Sequence, residues 1–182
     1  MLSVAAAAPA LAVSLPPGLH GYVYVLKDCS PDGVHMTFTI DGNRDGSRYP
    51  TPPGYGLYVE NVYVDTVVSN AYITFYFPSV LDPIPWTQTG PYDGWSMITV
   101  DPSAPAKAGY TGYTTTYADA NGWTFHAAAG GNPAYSIASG VPMFSFTTTN
   151  VNYCGNTPLI VWALRSVSVN GSPLVFERSA TL

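Results

Sequence analysis

Along this chain apolar positions recur every second residue in short runs, and turn-forming residues interrupt them before a helical period can build. In Met36-Thr37-Phe38-Thr39-Ile40 every second residue is apolar, and Ala71-Tyr72-Ile73-Thr74-Phe75-Tyr76-Phe77 places Ile73, Phe75 and Phe77 on one side. Phe144 and Phe146 alternate with Ser145 and Thr147 in the same way. Successive side chains of an extended strand point to opposite faces, so this period of two predicts half-buried strands. Asp32-Gly33, Asn121-Gly122 and Asn170-Gly171 separate such runs and tolerate left-handed backbone. They predict hairpins joining 22–27 to 34–40, 113–117 to 123–127, and 164–169 to 174–177. About ten strands at this spacing mark a sandwich or barrel.

Composition agrees. Glu occurs only at 60 and 177, while 17 Gly and 17 Pro are spread along the chain. A helical fold would need the helix-favouring surface residues that are scarce here. The expected fold is all-β: a single antiparallel β-barrel or sandwich domain with long Pro-rich loops and little or no helix. With 47% hydrophobic residues, the 182-residue chain can bury one substantial core. Residues 1–19, apolar and rich in small side chains, lack the charged start and cleavage site of a signal peptide, with Pro16-Pro17 where a small residue should stand. They read as an N-terminal extended arm or linker, leaving 20–182 as a single β domain. No stretch is long and apolar enough to span a bilayer, so membrane insertion is not expected.

Charge changes the picture of the surface more than of the fold. Only 9% of residues are charged, against roughly 25% in ordinary domains, and the net charge is -5. The surface must therefore be built from Thr, Ser, Tyr, Asn, Gly and Pro, which suits glycans, protein partners or self-association. The six cations (Lys27, Arg44, Arg48, Lys107, Arg165 and Arg178) are dispersed and form no stripe that could track phosphates, so no nucleic-acid partner is expected. Cys29 and Cys154 permit one long-range disulfide without requiring it. Asn170-Gly171-Ser172 is a glycosylation sequon followed by Pro173, and reads better as a turn.

Aromatic residues in two Pro-punctuated segments are the candidate ligand-binding set. The stretch 82–94 holds Pro83, Pro85, Trp86, Pro91 and Tyr92, with Trp95 just beyond; 101–112 holds Pro102, Pro105 and Gly109. Proline cannot donate to a ladder, so both read as loops or edges. Their rings either tuck beneath the loop or form a contact surface. As a contact surface, the receptor- or ligand-binding candidates are Trp86, Tyr92, Trp95, Lys107, Tyr110 and Tyr113.

Catalysis finds little support. His20, His35 and His126 lie in no nucleophile motif, and the carboxylates are mostly turn Asp residues. No catalytic residue, cofactor or metal is expected. Asp41, Asn43 and Asp45 with Gly46 imitate a calcium loop, but its closing carboxylate position is Pro52, and Arg44 and Arg48 add positive charge. His20-Gly21-Tyr22-Val23 resembles the mature start of copper-dependent polysaccharide monooxygenases. That resemblance implies copper held by His20 with His35 or His126, and it requires cleavage just after Pro16-Pro17-Gly18-Leu19, a poor context.

Lys107-Ala108-Gly109-Tyr110, followed by Tyr113-Thr114-Thr115-Thr116 and Ala118-Asp119, resembles a stretch in the protruding domain of the hepatitis E virus capsid protein. Astrovirus spikes are similar to that domain in fold, and the length and Tyr/Thr/Pro-rich loops of this chain resemble them more. The resemblance implies a homodimeric spike on the virion surface of a non-enveloped capsid. It would attach to a host-cell receptor, protein or glycan, and be the target of neutralising antibodies. A secreted carbohydrate-binding β-sandwich module is the alternative.

Overall fold

In the computed structural model, which describes residues 15–41, 56–89, 94–127, 136–140, 145–151, 154 and 158–182, the strands form three antiparallel sheets. The first has the order β1 (Gly18–Tyr22), β4 (Gly56–Val62), β10 (Ser136–Gly140), β9 (Thr124–Ala127). The second runs β2 (Tyr24–Cys29), β3 (Met36–Asp41), β11 (Ser145–Val151), β6 (Thr87–Gln88). The third and largest is β13 (Ser172–Thr181), β12 (Ile160–Val169), β5 (Val68–Pro78), β8 (Tyr110–Thr116), β7 (Thr99–Val100). Helical structure among the described residues is confined to two 3-10 turns, Ser79–Leu81 and Asp119–Asn121. The protein is all-β, as its alternation and composition predict.

The alternating runs fall where expected. Met36, Phe38 and Ile40 point inward from β3, and Ile73, Phe75 and Phe77 from β5, all essentially without solvent contact. Phe38 meets Phe77 across the second and third sheets, with ring centroids 5.0 Å apart. Leu57 and Val59 of the first sheet join the same cluster. Burying a side chain of this size contributes about 1.5–3 kcal/mol, so the three sheets are held by one shared core.

Two of the expected hairpins form. β2 and β3 pair from Cys29–Met36 outward, and the Asp32 carboxylate accepts the Val34 amide in the turn (3.0 Å). β12 and β13 pair over their full length, closing at Val169–Ser172. Asn170 and Gly171 take φ of 48° and 81°, the geometry that matches a two-residue loop to strand twist. Asn170 also receives the Val67 amide on its side-chain oxygen (2.9 Å).

The Asn121-Gly122 hairpin does not form. β8 pairs with β5 and β7, whereas β9 pairs with β10 in another sheet. Gly122 alone takes positive φ, and its amide closes the 3-10 turn on the Asp119 carbonyl (3.0 Å), so the chain changes sheets there. The strand count also exceeds ten because short pieces such as β6 and β7 pair inside the Pro-rich segments. β1 begins at Gly18, two residues inside the expected arm. Cys29 and Cys154 are joined by a disulfide, their Cα atoms 5.7 Å apart. The calcium-like stretch after Asp41 and the alternation at Phe144 lie outside the described residues.

Candidate functional site

The inward alternation of β5 leaves Tyr72, Thr74 and Tyr76 on the opposite side of the third sheet. Register then assembles a surface around them. Tyr76 stands opposite Trp162 on β12 and Gly112 on β8; Thr74 stands opposite Leu164 and Thr114; Tyr72 opposite Ser166 and Thr116. The edge strand β13 adds Glu177 beside Leu164 and Val175 beside Ser166. Val175 is 59% exposed, and Tyr72, Trp162 and Leu164 are partly exposed. Thr74, Tyr76 and Ser166 are themselves buried, so the exposed patch consists of the rings and aliphatic side chains around them.

The segment before β8 folds back across part of this face. Asp101 accepts the amide and hydroxyl of Ser103 (2.9 and 2.6 Å), fixing one turn, and the Ser103 hydroxyl foremost holds its carboxyl below the usual 3.8. Lys107-Ala108-Gly109-Tyr110 is a second turn, closed by the Tyr110 amide on the Lys107 carbonyl (3.1 Å), with Gly109 at φ 78°. Positive φ at the third position is what a type II turn demands of glycine. Between these turns the Pro105 carbonyl accepts the Tyr76 hydroxyl (3.0 Å). Burial, more than the charge of Glu177, raises the Tyr76 phenol above its usual 10.0.

Lys107 is thereby laid on the patch. Its ammonium lies 4.1 Å from the Trp162 ring centroid and 5.4 Å from that of Tyr76. It also meets the Glu177 carboxylate at 3.1 Å. Cation–π contact and the ion pair act together, in a place only partly open to water. The two charges neutralise each other, so the patch can stack and hydrogen-bond without demanding a charged partner.

The candidate residues separate into three groups. Lys107 and Tyr110 fall on this face. Trp86, Trp95 and Tyr113 turn inward: Trp95 is 3% exposed and Tyr113 1%. Trp86 packs between Phe77 (5.3 Å) and Tyr113 (6.1 Å), so the tucked arrangement holds for its loop. Tyr92 lies outside the described residues. Trp162, Tyr72, Val175 and Glu177 were missed by sequence reasoning, since they reach the patch only through the order of strands in the sheet. The alternation in β5 already held the signal for Tyr72.

No protein-family model matches the chain, and no curated protein matches it.

The three histidines are scattered. His20 sits within β1, its Nε2 3.2 Å from a Glu60 carboxylate oxygen and its ring stacked 5.2 Å from that of Tyr58. His35 lies at the β2–β3 turn, with its amide donating to the Ser30 hydroxyl (2.9 Å). The side chain of His126 lies outside the described residues. Among the described residues no three His, Cys, Asp or Glu side chains converge as a metal-ligand set.

Proposed function

We propose that this chain is the protruding spike domain of a non-enveloped virus capsid, working by attachment to a host-cell receptor and not by catalysis. The observation that carries the reading is the outer face of the third sheet. It presents the Tyr72–Trp162–Leu164–Val175 patch with Lys107 and Glu177 neutralising each other on it. Partly exposed rings on a rigid sheet lose little entropy when a partner covers them, and aromatic anchors dominate such interfaces. The Lys107–Tyr110 turn, where the resemblance to the capsid protruding domain begins, lies on the same face. In this reading the chain works as a homodimer on the virion surface, and antibodies that cover the patch block attachment.

Trp162 and Tyr72, with the Thr116 hydroxyl opposite Tyr72, also suit stacking against a sugar ring, which keeps a carbohydrate-binding module as the second reading. Native mass and cell attachment separate the two. The spike reading expects a species of twice the chain mass by light scattering, and saturable binding of labelled protein to animal cells that Trp162→Ala weakens about thirtyfold. A monomer that binds a defined soluble polysaccharide and no cell surface would transfer the function to the second reading.

A further inference from the structure

On the core-facing side of the β12–β13 hairpin, Arg165 occupies a position in line with Val161, Ala163 and Val167. It is 3% exposed, an unusual place for a guanidinium. Its Nη1 donates to the Ala163 carbonyl (3.1 Å), and its Cζ lies 5.4 Å from the Phe176 ring centroid. Its Nε is buried and has no hydrogen-bond partner among the described residues. Register puts Arg165 opposite Phe176 and Ala163 opposite Arg178, so the two arginines are diagonal neighbours on one face. Both line a partly open cavity of about 70 Å³ whose remaining wall includes Val23, Val25, Val161 and Ala163. Neither forms an ion pair with a carboxylate among the described residues.

This arrangement is costly as it stands. An acidic chain with six cations places two of them beside one cavity. Burial foremost, and then Arg178, lower the Arg165 guanidinium to about 10. A methionine would fill the same space without either penalty. A bound anion would reverse both effects.

We propose that the Arg165–Arg178 cavity is a binding site for a small aliphatic carboxylate. With Nη1 committed to Ala163, the buried Nε is an Arg165 donor left without a partner for a carboxylate oxygen to satisfy, and the exposed Arg178 supplies a second charge beside the same cavity. The valine and alanine wall accepts a short alkyl tail. Five of the lining residues, Val23, Val25, Val161, Ala163 and Ala180, are apolar, which favours an anion with an alkyl tail over inorganic phosphate. Trp162 and Ser179 also contribute to the lining, but the two arginines stand on the opposite face of the sheet from Lys107, and the Arg178 test does not touch the attachment patch.

Sodium butyrate, butyramide and inorganic phosphate, each titrated into the intact chain by calorimetry, test the proposal. Arg165 Nε–H is followed in parallel by NMR. Butyrate is expected to bind saturably, with a Kd of about millimolar for so few atoms, and to shift the Arg165 Nε resonance. Arg178→Gln, at an exposed position, should leave the unliganded fold intact and weaken butyrate about tenfold or more. Arg165→Met should abolish binding, and if it fails to fold, Arg178→Gln still decides. Acetyl-Ala-Val with a free terminus, compared with its amide, distinguishes the source: tighter binding than butyrate assigns the site to a peptide terminus, weaker binding to a free acid. Absence of saturable butyrate binding, equal binding of butyramide, tighter binding of phosphate, or an unchanged affinity in Arg178→Gln would each overturn it.

Discussion

The Tyr113 hydroxyl donates to the Asp82 carboxylate at 2.6 Å while accepting the Ile84 amide at 3.1 Å. Thr111 donates its hydroxyl to the same carboxylate. One phenol thus fastens the Pro-rich segment after β5 to β8, and the ring beneath it packs on Phe77 and Trp86. That fastening decides which way the Trp86 loop faces, and so why its rings belong to the core and not to the surface.

Tyr113→Phe should therefore act on stability through hydrogen bonds, with packing retained. It leaves the buried Ile84 amide and one carboxylate oxygen without this partner, a loss of about 1–3 kcal/mol in denaturant unfolding. A pH signature should accompany it. Burial, and next the bond to Asp82, push the phenol from 10.0 up to about 12. The folded state then holds its proton longer than the unfolded state, so this stabilisation is complete below pH 10.0 and fades as pH rises to about 12. Unfolding midpoints of the parent and Tyr113→Phe should converge across that interval; parallel curves would contradict the assignment.

Opening the Cys29–Cys154 bridge should lower stability without redirecting the fold. The bridge ties positions separated by 125 residues, and so constrains the unfolded chain strongly. Cys29→Ala with Cys154→Ala is expected to cost about 2–5 kcal/mol in denaturant unfolding, and reductant should reproduce that loss in the parent alone. A loss below ~1 kcal/mol would mean that the unfolded chain is already restrained there.

Two tryptophans should respond in opposite ways. Trp162→Ala removes a partly exposed ring from the proposed attachment surface, and should weaken binding by about 2 kcal/mol, roughly thirtyfold. Trp86→Ala instead hollows the layer between Phe77 and Tyr113, and should cost about 3–5 kcal/mol of stability while leaving the affinity of the folded fraction unchanged. Binding isotherms with thermal melts on both variants check this, and a Trp86 variant that stays stable but loses binding would return the site to the loop.

What could be read in advance divides along a physical line. Alternation in 36–40 and 71–77 and the Asn170-Gly171 turn are local, because side-chain period and backbone φ are set within a few residues. Asn121-Gly122 misled because a turn-competent dipeptide does not choose its strand partner; tertiary pairing sent β9 to another sheet. The neighbourhood of Tyr76, Trp162 and Lys107 depends on the order β13-β12-β5-β8, which no single segment encodes. Arg165 was nearer to legibility, since the alternation Val161, Ala163, Arg165, Val167 already aims it inward.

Two glycines flanking Tyr110 should fail for opposite reasons. Gly109 has φ 78° and open space where a Cβ would stand, so Gly109→Ala meets only backbone strain, about 1 kcal/mol, and loosens the turn that carries Lys107. Gly112 has no positive φ, but a Cβ there would lie 3.0 Å from the Ala104 Cβ, 3.2 Å from Thr74 Cγ2 and 3.3 Å from Tyr76 Cε1. Thr74 and Tyr76 belong to the sheet, so the 101–109 segment must yield. Gly112→Val should cost about 1–3 kcal/mol by overpacking, and lift Pro105 from the Tyr76 hydroxyl. If the Lys107–Trp162 patch is the attachment surface, Gly112→Val will lose binding well beyond its loss of stability, while Gly109→Ala will lose a smaller share. Hydrogen exchange at the Tyr110 amide, which closes the turn on Lys107, should rise in both variants and report the displacement directly.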